Sequence, residues 1–277
     1  MDVKPPVDVR YAIFRGIARK TFTACIISDE DGVLAGSGAA AEEAERLGII
    51  LESIAGEGTR VRAGEVLARL RGTPEQMARA EEVLIGLMAK PSGIATATRE
   101  FVERAGKKPR IVCGAWKKMP PEIKDAVRGA VAAGGGSFRI SPRPFVYLDK
   151  NYVEMLGGIR GCLEAVAEMN GCEKVVQLKG RHGDVAEEAC EAASRGASIV
   201  FIDTGRKEDI ARVSAALSGR GLRERVKIAF AGNIGIEDLK ELKSMDVDIL
   251  DIGRAIVDAP LLDMRMEVMT AESDARE

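Results

Sequence analysis

The chain has 277 residues, with 41 lysines and arginines against 43 aspartates and glutamates, and a formal net charge of −2. A charge this close to zero creates no long-range field that would attract a polyanion, so the composition argues against nucleic-acid binding. The uncharged stretches are shorter than the ~20 apolar residues of a membrane-spanning helix, and the N-terminus, with Asp2 and Lys4, lacks an apolar signal core. The sequence therefore predicts a cytoplasmic protein that does not enter membranes.

Aliphatic residues dominate the hydrophobic part of the composition, at 46% hydrophobic but only 4% aromatic. Such a core is typical of helices packed on parallel strands, which favours an α/β fold. The five cysteines are widely spaced and form no CxxC pair, so we expect buried free thiols. The single histidine, His182, lies in a polar stretch and is predicted on a surface loop, which leaves little support for a histidine-based active site.

The first part of the chain predicts a small α+β domain. Residues 22–28 and 64–70 alternate or are β-branched, which is typical of strands. From residue 74 to about 105, apolar residues recur at helical spacing. The segment 91–93, Pro-Ser-Gly, interrupts this pattern, and we expect it to end one helix and begin another.

Beyond Pro109 the pattern changes to short apolar runs separated by amphipathic stretches. Six runs are predicted as strands: 110–115, 144–148, 174–178, 198–202, 226–230 and 247–252. Repeated βα units predict a parallel sheet in an irregular α/β barrel, whose active site lies at the carboxyl ends of the strands. We therefore divide the chain into an N-terminal domain (1–105), a barrel domain (106–270) and a polar tail (271–277).

A set of motifs runs in order from about residue 20 to residue 258. The motifs are EDGVLAG (30–36), GTRVRAGEVLARLRG (58–72), AEE (80–82), SGIATAT (92–98), GGG (134–136), IDTG (202–205), AGNI (231–234) and VDILDIG (247–253). Their order and spacing resemble the nicotinate-nucleotide pyrophosphorylase family, also called quinolinate phosphoribosyltransferases. The resemblance implies an α/β N-terminal domain, an irregular, about six-stranded α/β barrel, and a homo-oligomer that is at least a dimer.

The resemblance also implies an activity and a cofactor. Family enzymes are glycosyltransferases that join quinolinate to phosphoribosyl pyrophosphate (PRPP) with Mg²⁺ and release CO₂ to give nicotinate mononucleotide. Matched positions make Lys117 and Asp203 catalytic candidates, with Asp203 also the metal ligand. The substrate-binding candidates are Trp116, Arg139, Lys150, Gly232, Asn233 and Gly253. The glycines and the asparagine offer backbone amides to a phosphate, and the tryptophan offers either a stacking face or ordinary packing.

Positions that would hold the quinolinate carboxylates depart from the family pattern. The substituted positions are Glu82 and Trp116 for arginines, Phe138 for histidine, Asp149-Lys150 for Lys-Asp, and Gln177 to Lys179 for a pair of glutamates. Losing one partner of a buried charge pair costs ~2–5 kcal/mol. Several such losses predict quinolinate binding that is weaker by orders of magnitude.

Three functions remain open at this point. The leading hypothesis is phosphoribosyl transfer from PRPP to a heterocyclic acceptor that is less anionic than quinolinate. The alternatives are an authentic quinolinate phosphoribosyltransferase and a non-catalytic homologue that binds a small phosphorylated ligand. For Asp203 and Arg139, the alternative to a functional role is a structural ion pair. The segment 92–96 is interpreted as a helix-packing and dimer-forming element. Whether Glu82 faces a site depends on a partner subunit.

Overall fold

A computed structural model of the protein describes residues 8–271. Its strands are β1 (Phe22–Ser28), β2 (Gly32–Val33), β3 (Ile50–Ile54), β4 (Arg60–Val61), β5 (Val66–Gly72), β6 (Arg110–Val112), β7 (Phe145–Leu148), β8 (Glu173–Leu178), β9 (Ile199–Ile202), β10 (Lys227–Ala231), β11 (Ile249–Asp251) and β12 (Met264–Ala271). Its α-helices are α1 (Arg10–Ile13), α2 (Ser37–Arg46), α3 (Pro74–Ala105), α4 (Lys124–Ala133), α5 (Lys150–Met155), α6 (Ile159–Ala165), α7 (Val185–Ser194), α8 (Glu208–Gly219), α9 (Leu239–Leu242) and α10 (Arg254–Val257). Helix α3 is 32 residues long. Even so, no helix within residues 8–271 combines the length and apolarity that a bilayer crossing requires.

The chain divides into two compact units that alternate along the sequence. The first contains the described residues up to 96, together with 125–135 and those from 259 onward; the second contains 97–124 and 136–258. The sequence-based division instead ran the barrel domain without interruption to residue 270. Strand β12 belongs to the first unit because it pairs antiparallel with β1, from Phe22 opposite Ala271 to Ser28 opposite Met264. The tail predicted from residue 271 lies at and beyond the last described residue.

The first unit is built on a four-stranded sheet in the order β12-β1-β5-β3. The neighbouring strands are antiparallel. Residues 22–28 form β1 as the alternation predicts, while the second predicted strand starts two residues later, at Val66. The core between this sheet and its helices includes Ile26, Leu70, Leu84 and Met88, all at most 1% exposed. Burial of these aliphatic side chains stabilises the unit.

Helix α3 continues through Pro91, contrary to the break that the sequence predicts. Proline has no N–H, so it removes the usual intrahelical donor from the carbonyl of Leu87. Gly36 packs directly on that carbonyl, since a Cβ at position 36 would lie 2.1 Å from the Leu87 oxygen. One residue earlier, the Ala35 N–H donates to Ser92 Oγ at 2.9 Å. These close contacts stabilise the helix on both sides of the proline, which therefore interrupts one hydrogen bond without ending the helix.

The second unit contains a six-stranded parallel sheet in the order β6-β11-β10-β9-β8-β7. Each strand falls within one of the six predicted runs, apart from a shift of one residue at β8 and β10. Helices α7 and α8 pack against each other and against strands of this sheet. One face of the sheet is lined by buried apolar residues: Val112, Ile140, Val175, Ile199, Phe201, Ala229 and Ile249. The predicted α/β class is confirmed.

The prediction of buried free thiols is confirmed for four of the five cysteines, and the predicted surface position of His182 is confirmed. All five cysteines are free; Cys172 is half-buried and the other four are buried. The His182 side chain is 37% exposed on the loop after β8, with Nε2 3.4 Å from Glu154 Oε2.

A charged network closes the amino ends of β10 and β11. Arg223 donates to Asp246 Oδ2 at 2.6 Å and to Asp248 Oδ2 at 2.9 Å. Lys108 Nζ lies 2.9 Å from Asp248 Oδ1. Hydrogen bonding from Arg223 lowers the pKa of Asp246 to about 2, against the partial opposition of burial. The network therefore ties the segment before β11 to the segment before β10.

The lowered pKa of Asp246 predicts a specific loss of stability in acid. Because the folded pKa lies below the unfolded value of ~3.9, this carboxylate stabilises the fold above about pH 4 and loses that contribution as the pH falls toward 2. The Asp246 side chain is 44% exposed. Solvent screening therefore limits the contribution to about 1 kcal/mol. Asp246→Asn is expected to lose about 1 kcal/mol less unfolding free energy than the wild type between pH 6 and pH 2.

Chemical denaturation at several pH values measures this difference. Asp125→Asn is the control, because the Asp125 side chain is 91% exposed in its pair with Arg128. The interpretation is wrong if Asp246→Asn and the wild type lose the same free energy over this pH range.

Candidate functional site

Polar and aromatic side chains collect at the carboxyl ends of the parallel strands. Tyr147 of β7 pairs with Val175 of β8, and Gln177 pairs with Phe201 of β9. Alternate residues of a strand point to the same face. The face that carries the buried core therefore continues, past the strand ends, into a polar site.

Asp203 is the centre of the hydrogen bonding in this site. Its Oδ2 lies 2.8 Å from Lys179 Nζ and accepts a hydrogen bond from Gln177 Nε2 at 2.5 Å. The backbone N–H of Lys150 donates to Gln177 Oε1 at 2.8 Å. That bond fixes the orientation of the amide, because only Nε2 then remains to face Asp203. The sequence analysis considered a structural ion pair as the alternative role of Asp203. That ion pair is present, and its partner is Lys179.

The contacts at Asp203 Oδ2 do not fit the magnesium ion that the family resemblance implies. Mg²⁺ binds oxygen lone pairs, usually from one or two carboxylates and several waters or phosphates. Here an ammonium and an amide N–H₂ point at the same carboxylate oxygen. The predicted role of Asp203 as a metal ligand therefore disagrees with its neighbours.

Trp116 and Lys117 lie on a 3₁₀ turn, Ala115–Lys118, that follows β6. The indole N–H of Trp116 donates to the backbone carbonyl of Phe138 at 2.9 Å. Lys117 Nζ lies 5.9 Å from the centroid of the Tyr147 ring. The hydrogen bond gives Trp116 a structural role, and its stacking on a ligand stays a prediction.

Two half-buried side chains of the site, Asp251 and Tyr147, were not among the sequence-based candidates. Asp251, at the end of β11, accepts a hydrogen bond from the Gly114 N–H at 2.8 Å. Burial raises the pKa of Asp251. The hydrogen bond from Gly114 and the positive charge of Lys117 oppose this rise, and the negative charge of Asp203 adds to it. Burial also raises the pKa of the Tyr147 phenol, whose ring packs edge-on against Phe201 at 6.0 Å. The in-phase spacing of Asp251 with Ile249 on one strand is the signal that would have identified it.

The remaining cationic candidates lie on the surface around the site. Arg139 is exposed, and its guanidinium lies 5.3 Å from the centroid of the Phe145 ring. Lys150 is exposed at the start of α5, where Asp149 caps the helix by accepting hydrogen bonds from the N–H groups of Asn151 and Tyr152. Asp149 therefore acts as a helix cap at the position where the family has a lysine.

The backbone candidates lie in the loops that follow β10 and β11. A Cβ at Gly232 would lie 2.7 Å from the Cα of Gly205, so the loops after β9 and β10 are in close contact. Asn233 has a φ of 52°, in the left-handed region. Gly253 immediately precedes α10. Their proposed contact with a phosphate stays a prediction.

Two buried carboxylates hold the loops that carry Lys179 and Asp203. Glu188, 5% exposed, accepts hydrogen bonds from the backbone N–H groups of Gly180 and His182, both at 2.9 Å. Asp209, 1% exposed, accepts from Thr204 Oγ1 at 2.6 Å. Each carboxylate lies on the helix that follows its loop, so the helix fixes the backbone next to the Lys179–Asp203 pair.

Glu82 lies in the first unit, on helix α3. Its side chain is 63% exposed and accepts a hydrogen bond from the guanidinium of Arg10. An exposed acid with a local cationic partner agrees with the interpretation of Glu82 as a surface helix residue.

Comparisons with known proteins match almost the whole chain to one family. The models for the quinolinate phosphoribosyl transferase N-terminal and C-terminal domains match residues 8–92 and 94–267. A probable carboxylating nicotinate-nucleotide pyrophosphorylase from Archaeoglobus fulgidus is 31% identical over 261 residues, which are 94% of this chain and 99% of the relative. A protein of the same description from Methanothermobacter thermautotrophicus is 29% identical and covers 88% of this chain and 87% of the relative.

A solved structure shows the same fold. The nicotinate-nucleotide pyrophosphorylase from Francisella tularensis superposes with a TM-score of 0.78 over 96% of this chain and 98% of that one, at 22% identity. Because both domain models match in order and the archaeal relative is similar over nearly its full length, the chain belongs to the quinolinate phosphoribosyltransferase family.

Proposed function

We propose that this protein transfers the phosphoribosyl group of PRPP to a heterocyclic acceptor that carries less negative charge than quinolinate. Family membership supports phosphoribosyl transfer. The observation that carries the proposed acceptor is the charge balance of the site. The positive charges of Lys117 and Lys179 are offset by the carboxylates of Asp251 and Asp203.

A balanced site disfavours a dianion. Quinolinate carries two carboxylates, and each must exchange water for charge-assisted partners when it is bound. Lys179 is already paired with Asp203 at 2.8 Å, and the positive charge of Lys117 acts on the half-buried Asp251. A bound dianion would therefore compete with Asp203 and Asp251 for these two ammonium groups. A neutral or singly charged heterocycle avoids this penalty and finds an apolar wall in Tyr147 and Phe201.

The same residues suit the donor side of the reaction. A ring nitrogen of the acceptor forms a bond to the anomeric carbon as the bond from that carbon to pyrophosphate breaks, and pyrophosphate leaves with the electron pair. Positive charge develops at the anomeric carbon, which the carboxylates of Asp203 and Asp251 stabilise. Lys117 and Arg139, both exposed, are available to the pyrophosphate oxygens. Positioning of the two reactants supplies much of the remaining acceleration.

An authentic quinolinate phosphoribosyltransferase is the second candidate. It is favoured by the 31% identity to a relative described as a probable carboxylating nicotinate-nucleotide pyrophosphorylase. A non-catalytic ligand-binding homologue on the same scaffold is the third. Under each of the three candidate functions we propose the homodimer that the family resemblance implies. Sedimentation velocity tests this assembly state directly.

Titration calorimetry with PRPP tests the donor half of the proposal. We expect micromolar binding, and weaker binding of ribose 5-phosphate, which lacks the pyrophosphate group. Asp203→Asn keeps the size of the side chain and removes its charge, so we expect about tenfold weaker binding of PRPP, or ~1.4 kcal/mol. Absence of PRPP binding at millimolar concentration, with or without Mg²⁺, would overturn the proposal.

A further inference from the structure

We propose that the Lys179 ammonium takes the place of a divalent cation at Asp203, so that this chain binds PRPP without a metal ion on a protein carboxylate. The inference rests on the proposed function, because PRPP is the ligand concerned. It also disagrees with the magnesium requirement that the family resemblance implies.

Strand register brings Lys179 and Asp203 together. Leu178 of β8 pairs with Ile202 of β9, so the next residues of the two strands lie side by side at the carboxyl edge. The Lys179 and Asp203 side chains are 27% and 28% exposed, and Nζ lies 2.8 Å from Oδ2. Partial burial protects the pair from solvent screening, which makes it more persistent than an exposed surface pair.

Gln177 closes the same carboxylate oxygen to a metal ion. Its Nε2 donates to Asp203 Oδ2 at 2.5 Å, and its own Oε1 is held by the backbone N–H of Lys150. A metal ion at Oδ2 would meet the N–H₂ group of an amide that cannot turn its oxygen toward the ion without losing that bond. Mg²⁺ would also have to displace an ammonium already in contact.

The charges around Lys179 favour an anion. Lys150 and Arg181 line the same small recess as Lys179, which also contains the buried Glu188. An ammonium has three N–H donors, and the contact with Asp203 uses one of them. The others can meet ribose hydroxyl or pyrophosphate oxygens, which are the groups that a magnesium ion would otherwise hold. Lys179 then neutralises the donor while Asp203 keeps it oriented.

Four variants separate the cation role of Lys179 from a structural one. Lys179→Met keeps the length of the side chain and removes its charge, whereas Lys179→Arg keeps the charge. Lys179→Glu places a second carboxylate beside Asp203. Lys227→Met is the matched control, because Lys227 is exposed at the amino end of β10, away from the site. Thermal unfolding identifies any variant that fails to fold, and Lys179→Arg then replaces Lys179→Met as the deciding comparison.

The first measurement is PRPP affinity by calorimetry, with EDTA and with Mg²⁺. For the wild type and Lys227→Met, we expect affinities that differ by less than about threefold between the two conditions. Lys179→Met is expected to bind at least about tenfold more weakly in EDTA, with part of the affinity restored by Mg²⁺. Lys179→Arg should retain binding in EDTA. A wild-type affinity that rises more than about tenfold with Mg²⁺ would overturn the inference.

The second measurement uses Mn²⁺ alone and detects bound ion by electron paramagnetic resonance. We expect no stoichiometric binding to the wild type and a new site in Lys179→Glu that Asp203→Asn removes. Stoichiometric Mn²⁺ binding to the wild type that is abolished by Asp203→Asn would overturn the inference. Because no PRPP is present, this result stands even if the proposed function fails, and the two failures can therefore be told apart.

Discussion

Gly93→Ala is expected to lower the free energy of unfolding by about 3 kcal/mol or more. A Cβ at position 93 would lie 1.8 Å from the carbonyl oxygen of Pro260 and 2.9 Å from the Cα of Leu261. Both contacts are backbone atoms, so no side-chain rotation relieves the clash. The contact between α3 and the segment before β12 must therefore open. Opening it also strains the nearby hydrogen bond from the Leu262 N–H to the Ala89 carbonyl, which is 3.0 Å long.

Denaturant unfolding of Gly93→Ala measures this cost. Gly86→Ala is the matched control on the same helix, because a Cβ at position 86 meets nothing within 4 Å. Alanine is the better helix former, so this control should be neutral or up to about 1 kcal/mol more stable. Equal midpoints for the two variants would contradict the close packing of position 93. The expected result would support the interpretation of the segment 92–96 as a packing element.

Lys117→Glu is expected to weaken PRPP binding by at least about a hundredfold. Lys117 is exposed, and its Nζ lies 5.9 Å from the centroid of the Tyr147 ring. Burial raises the pKa of Asp251, and the positive charge of Lys117 opposes that rise. The substitution removes one cation and adds an acid to a site that already holds Asp203 and Asp251. A pyrophosphate group would then face an excess of negative charge.

Calorimetric titration with PRPP measures the loss, with Lys118→Glu as the control. Lys118 follows Lys117 on the same 3₁₀ turn and is also exposed, so the control makes the same change in net charge. We expect the control to weaken PRPP binding by less than about tenfold, since long-range charge effects are screened by salt. Similar losses in both variants would mean that Lys117 acts only through the net charge of the surface and does not contact the donor.

The repeated strands of the second unit could be predicted well because buried parallel strands are continuous apolar runs. The run 198–202, for example, becomes β9 at Ile199–Ile202. The break that the sequence predicts at residues 91–93 of helix α3 was wrong, because a local rule for proline cannot anticipate the packing of Gly36 on the Leu87 carbonyl. The place of β12 was missed for a similar reason, since its partner β1 lies at the other end of the chain.

The site was predicted in part. Asp203 could be found because it follows a buried strand and matches a family motif, and its ion pair was considered as an alternative. Its partner Lys179 was noted only because it lies in the segment where the family pattern has a pair of glutamates. The distance of 2.8 Å between these side chains depends on the register of β8 and β9, which a single sequence does not contain. Asp251 was missed although its in-phase spacing with Ile249 is visible in the sequence; only its neighbours in the site depend on the strands beside it.

The central claim is that the site is balanced in charge and accepts a heterocycle with fewer carboxylates than quinolinate. The most direct measurement is PRPP-dependent release of pyrophosphate with quinolinate, with a pyridine monocarboxylate and with a neutral pyridine carboxamide. We predict that kcat/KM for the monocarboxylate or the carboxamide exceeds that for quinolinate by at least about tenfold, or ~1.4 kcal/mol of transition-state binding. Quinolinate as the best of the three acceptors, with CO₂ released in equal amount to pyrophosphate, would contradict the claim.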